Sequence, residues 1–332
     1  MESNTALVLG ATGGIGGEMA RQLINAGWTV RALHRGSEQP KEWQVGMTWL
    51  RGDAMNRDDV LAAAQGCAVI VHAVNPPGYR RWGELVLPML NNTISAAQAQ
   101  GATIVLPGTV YNFGPNAFPT LREDSPQQPL TRKGAIRVEM ERRLQLASIQ
   151  GCKVIVVRAG DFFGPKPGNS WFSQGMLKAG QPVKGISVPN APGVGHQWSY
   201  LPDVARTMVA LVQRRDTLTP FAVFHMAGHW DADGTQLAAA ISRVVVKHGG
   251  AQPTVRAFPW WLTALAAPFV PMLRELREMH YLWNTRLEMS NAKLVAELGH
   301  EPHTPLEEAV EVALEGIGCL GAAPSQPVRR AH

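Results

Sequence analysis

One segment, Thr5 to Arg35, reads TALVLGATGGIGGEMARQLINAGWTVRALHR and constrains this chain more than any other. Ala6 to Leu9 is a short apolar run of the kind that forms a buried parallel strand. It stops at Gly10, Gly13, Gly14 and Gly16, with Thr12 and Ile15 among them, and then enters a helical pattern with Met19, Leu23 and Ile24 on one face. Gly27 ends that helix, and Trp28 to Leu33 reads as a second strand. Strand, glycine turn, helix and strand make the unit that holds a dinucleotide pyrophosphate against a helix N-terminus. The glycines matter there because a Cβ would block the approach of phosphate to backbone N–H groups.

The far end of the second strand bears on which dinucleotide is held. NAD-binding units place Asp or Glu about 20 residues beyond the glycines, where it accepts from the ribose hydroxyls. This chain has His34 and Arg35 there, with Arg31 earlier on the same strand. A carboxylate would repel a 2′-phosphate, whereas a guanidinium can chelate it in fork geometry. NADP(H) is therefore expected over NAD(H); the bland alternative is a solvated arginine on a loop.

At 332 residues, 45% of them hydrophobic, the chain can bury the core of one large domain or two joined ones. The net charge of +5 is modest and the basic residues are scattered, so nucleic-acid binding is not indicated. Three cysteines, Cys67, Cys152 and Cys319, lack metal-like spacing and suit a reducing compartment. No signal peptide is read before the first strand, so a cytoplasmic location is expected.

Further strands are expected at Met47–Leu50, Cys67–Val74, Ala102–Leu106 and Lys153–Arg158, with helices at 56–65, 82–100 and 131–150. Strands alternating with helices predict an α/β fold, a doubly wound parallel sheet of Rossmann type. Pro107 to Pro129 reads as an irregular loop. Beyond Arg158 the rhythm breaks, which divides the chain into a dinucleotide-binding domain over 1–158 and a smaller substrate-binding region over 159–320 interleaved with the last sheet strands. A disordered tail is expected over 321–332. Helices are expected at 203–214, 234–248, 291–298 and 305–316, a short helical piece near 173–179, and a strand at 221–226. The apolar run FPWWLTALAAPFVPML (258–273) is too short and too interrupted by proline to span a bilayer, which takes about 20 apolar residues. A buried or subunit-facing helix and a membrane-surface anchor are the two readings left for it.

Several ordered segments together resemble the extended short-chain dehydrogenase/reductase superfamily, in its NAD-dependent epimerase/dehydratase family. GATGGIG (10–16) is similar to the family's G-x-x-G-x-x-G turn, and GDAMN (52–56) to its adenine-side Gly-Asp. HAVNPP (72–77) resembles the segment lining the nicotinamide ribose, VRAGDFFGP (157–165) the R-P-x-x-x-Y-G-P turn, and WSYLPDVA (198–205) the H-V-x-D-V-A segment. NAKLVAELGHEPHTPLEEAV (291–310) resembles the family's C-terminal motif. The resemblance implies that Asp53 and Ala54 face the adenine, although Asp53 could equally cap the next helix, and that Ala73, Val74 and Asn75 line the nicotinamide side. It also implies that Asn75, Trp171, Phe172, Gln197 and Trp198 wall a substrate cleft, where the aromatic pair could stack on a ring or simply close the core, and that a homodimer is possible, dimers being the family habit.

The chemistry departs from that pattern. Family members carry Ser or Thr after the fifth strand and then Tyr-x-x-x-Lys opening a helix, where Tyr exchanges a proton with the substrate. On the family frame Y-G-x-x-K-x-x-x-E, Gly134 and Glu141 match, but Lys133 takes the Tyr place and Arg137 the Lys place. Registering on Val110-Tyr111 puts Pro107 at the usual Ser, with Thr109 the nearest hydroxyl. Arg137 can hold ribose hydroxyls but cannot give up a proton. Lys133, one helical turn from Arg137, becomes the first candidate acid, Tyr111 the second, with Thr109 orienting substrate. Both basic residues could instead only bind phosphate or face solvent. His225 and His229, with Asp231 and Asp233, suggest a turn rather than a metal site because Gly228 stands between the histidines. The expected function is NADPH-linked reduction of a carbonyl-type small molecule, or epimerisation through a transient ketone. The alternative is a catalytically inactive NADP(H)-binding regulator.

Overall fold

The computed structural model describes residues 4–36, 46–76, 81–168, 170–266 and 277–320; the expected tail, the end of the apolar run at 267–273, Tyr79 and residue 77 lie outside them. In chain order the first half comprises β1 (Thr5–Leu9), α1 (Gly14–Asn25), β2 (Thr29–His34), β3 (Met47–Arg51), α2 (Arg57–Ala63) and β4 (Val69–His72). Then come α3 (Trp82–Gln100), β5 (Thr103–Gly108), β6 (Thr120–Leu121), α4 (Arg132–Ile149) and β7 (Val154–Arg158). The second half adds β8 (Asp161–Phe163), β9 (Gly185–Val188), β10 (His196–Tyr200), α5 (Leu201–Gln213), β11 (Phe221–His225) and β12 (His229–Asp231). It closes with α6 (Gln236–Lys247), β13 (Thr254–Ala257), α7 (Trp260–Ala266), β14 (Glu288–Met289), α8 (Ala292–Leu298) and α9 (Leu306–Gly316).

Seven of these strands form one parallel sheet in the order β11-β7-β5-β4-β1-β2-β3, the doubly wound Rossmann arrangement. Its central strands are buried along their whole length, as near-continuous apolar runs must be when helices cover both faces. On one face Met19 and Leu23 of α1 pack with Val204, Met208 and Val212 of α5. On the other, Val60, Leu90, Ile136 and Leu144 from α2, α3 and α4 do the same. The register lines up the strand ends: Leu9 pairs with Leu33 and His72, and Arg158 pairs with Gly108 and His225.

The irregular second half builds smaller sheets that sequence periodicity did not reveal. β12, β10 and β8 make one of three strands, while β13–β9 and β14–β6 are two-stranded. Each strand is two to five residues long, too short for an alternating pattern to emerge. The expected helical piece near 173–179 is one wide turn over Phe172–Met176. In the apolar run, the Trp260 indole N–H donates to the Pro189 carbonyl at 2.8 Å, whereas Trp261 is 66% exposed. No described helix is long and apolar enough to cross a membrane.

Where β7 ends, a polar cluster is buried under the sheet edge. Arg158, 1% exposed, donates from Nε to Glu141 Oε1 at 3.0 Å and from Nη2 to Oε2 at 2.5 Å. Its Nη1 lies 2.9 Å from His225 Nε2, and its guanidinium stands 5.0 Å from the Phe113 ring centre. Asn112 Nδ2 donates to Glu141 Oε1 at 2.9 Å. The pair ties α4 to β7 and β11, and removing one partner strands the other charge out of water. Glu141→Gln should cost about 3–5 kcal/mol of unfolding free energy by urea titration; a loss below about 1 kcal/mol would mean the pair contributes little.

Three buried histidines make stability depend on pH. Burial, reinforced by the nearby Arg137 charge, holds His72 down to about 3. Burial and then Arg158 do the same for His225, also to about 3, while burial and His303 bring His229 to about 4. All three lie below the ordinary histidine value, so as pH falls through about 6.5 the unfolded chain takes up protons that the folded chain refuses. Unfolding free energy should therefore fall between pH 6.5 and 4, each histidine adding a slope approaching about 1.4 kcal/mol per pH unit. Denaturant titrations across that window check this; a flat profile contradicts it.

Candidate functional site

A cleft of about 760 Å³ runs along the C-terminal edge of the parallel sheet. Ligands bind at this edge in open α/β sheets, where the strand order reverses around β1 and β4. Gly10, Thr12, Gly13, Gly14 and Ile15 line its middle; His34, Arg35, Asp53 and Ala54 line one end. Ala73, Val74, Asn75, Thr109, Tyr111, Arg137 and Trp171 line the remainder. Most residues expected from sequence to form the site are thus brought together.

The glycine turn works by chain packing as much as by access. Gly10 has φ +90°, and a Cβ there would stand 2.5 Å from the Ala73 carbonyl oxygen, so only glycine lets β1 and β4 end side by side. Gly16 does not line the cleft; a Cβ on it would lie 2.2 Å from the Gly10 oxygen and would push α1 off the turn. Gly14 faces the backbone of Lys166 and Pro167, at 2.9 Å from its would-be Cβ, so the 166–168 loop lies over the turn. The first turn of α1 has no side-chain cap and no acidic residue. Its N–H groups and the positive end of its dipole open on the cleft, an arrangement that fits a dinucleotide's pyrophosphate.

At the adenosine end His34 closes β2 and the exposed Arg35 follows it. Arg31 is turned elsewhere: its Nη1 donates to the Gln65 carbonyl at 2.6 Å and to the Ala63 carbonyl at 3.3 Å. Asp53 is not the cap of α2. Asn56 is, accepting from the Asp58 and Asp59 N–H groups at 3.0 and 3.4 Å. Asp53 Oδ1 instead accepts from the Met55 N–H at 3.0 Å, and Asn92 Nδ2 fixes the Ala54 carbonyl at 2.9 Å.

Toward the other end Asn75 Oδ1 accepts from the Trp82 indole at 2.6 Å, and Trp82 carries the Arg137 guanidinium 5.2 Å from its ring centre. Arg137 also donates from Nη1 to the Pro107 carbonyl at 3.4 Å. The Thr109 hydroxyl accepts from the Tyr111 N–H at 3.4 Å. His72 lies beneath, its Nδ1 2.7 Å from the Thr93 hydroxyl. Trp82, His72 and the acid Asp161 were not singled out from sequence, although all three line the cleft. Trp82 opens α3, and its position gave no signal. Asp161 had one: a carboxylate set between Ala159-Gly160 and Phe162-Phe163.

Besides Gly16, four expected residues stand elsewhere. Lys133 is 3% exposed, with Nζ 3.5 Å from the Glu278 carboxylate, and it is not among the cleft-lining residues. Glu278, which also accepts from the Lys133 backbone N–H at 3.3 Å, holds it away from the cleft, so the expectation that it replaces the tyrosine is revised. Phe172 is buried in a second core, apart from the parallel sheet, with Phe163, Met176 and Leu177. Gln197 is consumed by backbone: Nε2 donates to the Met226 carbonyl at 2.8 Å and to that of Ala227, and Oε1 accepts from the Met289 N–H at 2.8 Å. Trp198 packs on His196 and Trp283. β10 is buried along its length, and none of its residues lines the cleft. Trp171 alone of that aromatic set lines it, held edge-on by Phe258 and Trp283.

The histidines after β11 also part company. Gly228, φ +57°, makes the expected turn, and His229 lies with Asp203 and His303, their polar atoms within 4.8 Å of one another. The Asp203 carboxylate is already occupied by the Thr304 N–H at 2.8 Å, the Thr304 hydroxyl at 2.9 Å and Arg206. It fastens the C-terminal loop to α5.

Known proteins share this plan. An L-threonine dehydrogenase from Clostridium difficile superposes with a TM-score of 0.76 at 16% identity, over 97% of this chain and 100% of that one. The Bordetella bronchiseptica enzyme WbmH, solved in complex with NAD+, superposes with a TM-score of 0.67 at 18% identity, over 94% of this chain and 97% of that one. At such identities the likeness concerns the fold. A 2-alkyl-3-oxoalkanoate reductase from Shewanella oneidensis is 35% identical over 79 residues, which is 24% of this chain and 20% of that protein. The chain spans 57% of the length of the first curated relative it matches. Residues 6–227 match the model of the NAD-dependent epimerase/dehydratase family. With that match covering the glycine turn, the cleft and the whole parallel sheet, this chain belongs to the NAD-dependent epimerase/dehydratase family.

Proposed function

We propose that this protein is an NADPH-linked oxidoreductase that reduces a carbonyl group on a small molecule. The observation that carries the reading is the furnishing of the two ends of one cleft: a guanidinium and an imidazole where a ribose-binding carboxylate would stand, and a walled space beyond Asn75. A 2′-phosphate would find Arg35, and no acid on the strand end to repel it. Gly13, Gly14 and Ile15 would take the pyrophosphate on their N–H groups, and Asp53 would accept from the adenine amino group. The bound nicotinamide supplies a hydride.

The remaining roles belong to side chains of this chain. Arg137, held by the Pro107 carbonyl and the Trp82 face, would bind ribose hydroxyls and keep its positive charge throughout. Thr109 and Tyr111 bring two hydroxyls to the end of β5, where Thr109 would orient the substrate oxygen. Asn75 and Trp171 would border the substrate, with Trp82 fixing the Asn75 amide. The Shewanella relative's name describes reduction of a 3-oxo acid, which agrees with a carbonyl substrate.

The coenzyme is tested by equilibrium titration. Arg35→Ala should weaken NADPH binding about tenfold or more and leave NADH binding unchanged, as expected for losing a hydrogen-bonded charge partner; equal effects on both coenzymes would refute the 2′-phosphate role. The reaction is tested by NADPH oxidation with ethyl acetoacetate, acetophenone and 2-nonanone. Steady turnover with any of them supports reduction. Tight NADPH binding with no turnover would favour the binding-only regulator.

A further inference from the structure

Removing Lys133 from the cleft leaves open which group protonates the substrate oxygen. The titratable groups that line the cleft are His34, Arg35, Asp53, His72, Tyr111, Arg137 and Asp161. The first three stand at the adenosine end, and Arg137 does not release its proton. His72, held down to about 3, has no imidazolium proton to give; that leaves Tyr111, which packs against the Val110, Phe113 and Met279 cluster, and Asp161.

Asp161 is built differently from the other cleft acid, Asp53. Its Oδ2 accepts from His196 Nε2 at 2.8 Å, while Oδ1 has no partner among the described residues. The two side chains are 17% and 9% exposed. The imidazole is clamped: Trp283 stacks on it at 3.9 Å and 16°, and Trp198 meets it edge-on at 5.0 Å. Holding an acid and an imidazole together in an aromatic layer costs desolvation that a plain apolar pair would avoid, so the arrangement points to function. Position agrees. Gly108 of β5 pairs with Arg158 of β7, so Thr109 and Ala159 leave the sheet side by side, and Asp161 follows two residues later.

We infer that Asp161 is the catalytic acid of this cleft and that His196 is the positioning residue that recharges it. This rests on the carbonyl-reduction reading above. With the bound coenzyme supplying the hydride to the carbonyl carbon, the carbonyl oxygen would take the proton of the Asp161 carboxyl, giving an alcohol and the oxidised coenzyme. The carboxylate left behind recovers a proton at Oδ2 from Nε2–H of the His196 imidazolium, which is recharged from water. In the reverse direction Asp161 accepts the alcohol proton.

Asp161→Asn keeps the shape and the acceptor for His196 and removes the transferable proton. It should lower kcat for NADPH-dependent reduction of ethyl acetoacetate, acetophenone or 2-nonanone by about 100-fold or more, with NADPH affinity unchanged. His196→Gln, which preserves a donor to Asp161, should lower kcat less and displace one limb of the pH–rate profile. A second readout needs no turnover. Adding 2-nonanone to the protein with NADP+, a pair that cannot turn over, should move the His196 Cε1–H resonance in wild-type protein and leave it in place in Asp161→Asn. Other groups facing this ring are Asp231, opposite His196 on β12 with its carboxylate on the Leu237 N–H at 3.0 Å, and His229 on the same strand. An Asp231→Asn control should keep that response.

Wild-type turnover with Asp161→Asn equally active, or impaired in KM alone, overturns this inference and leaves the carbonyl-reduction reading standing. A His196 resonance that answers 2-nonanone equally in wild type and in Asp161→Asn overturns it as well. Wild-type protein that binds NADPH but reduces none of the three carbonyls overturns the reading and the inference together.

Discussion

The structure depends on how closely the end of β1 can approach its neighbours. Gly10 must sit within contact of the Ala73 carbonyl, and Gly16 within contact of the Gly10 carbonyl, for α1 to start where it does. With those distances met, the uncapped first turn of α1 opens on the sheet edge rather than on side chains. Every other feature of the cleft is placed relative to that opening. The strands beside β1 deliver His34 and Arg35 to one side and His72 to Asn75 to the other. The strands beyond deliver Thr109 and the β7–β8 turn.

The second half of the chain gives this edge its depth. β8 leaves the sheet directly after Ala159 and Gly160, and β10 and β12 pair beside it, so the wall of the cleft and the second core share one short strand. Asp161 and Phe163 illustrate the division of labour. Asp161 lines the cleft, while Phe163, two residues on, is buried against Phe172 and Tyr200. Glu141 and Arg158 lock the same corner from below, which fixes the exit direction of β7.

Much of this was legible in the sequence because it is periodic. The long apolar strands and the helices of the sheet carry repeats of two and 3.6 residues over enough length to be read, and α3 begins and ends where its pattern does. The glycine turn and the residues after β2 and β4 were legible for another reason: their spacing from the sheet is set by the fold. What escaped was decided by contacts distant in sequence. Lys133 sits on the right helical position for an acid, yet Glu278, 145 residues away, draws it from the cleft. Gln197 and Trp198 lie on a segment that resembles a substrate wall, yet backbone carbonyls after β11 and the Trp283 ring claim them. Asp161 was visible as an acid among apolar neighbours, but its partner His196 lies 35 residues on, and only the β8–β10 pairing joins them.

The most direct test of the account is a crystal structure of the protein with NADPH. It predicts the pyrophosphate on the N–H groups of Gly13, Gly14 and Ile15, the 2′-phosphate against Arg35, and the nicotinamide on the side of Thr109 and Asp161. A coenzyme lying elsewhere on the molecule, or one whose 2′-phosphate projects into solvent away from Arg35, would contradict it.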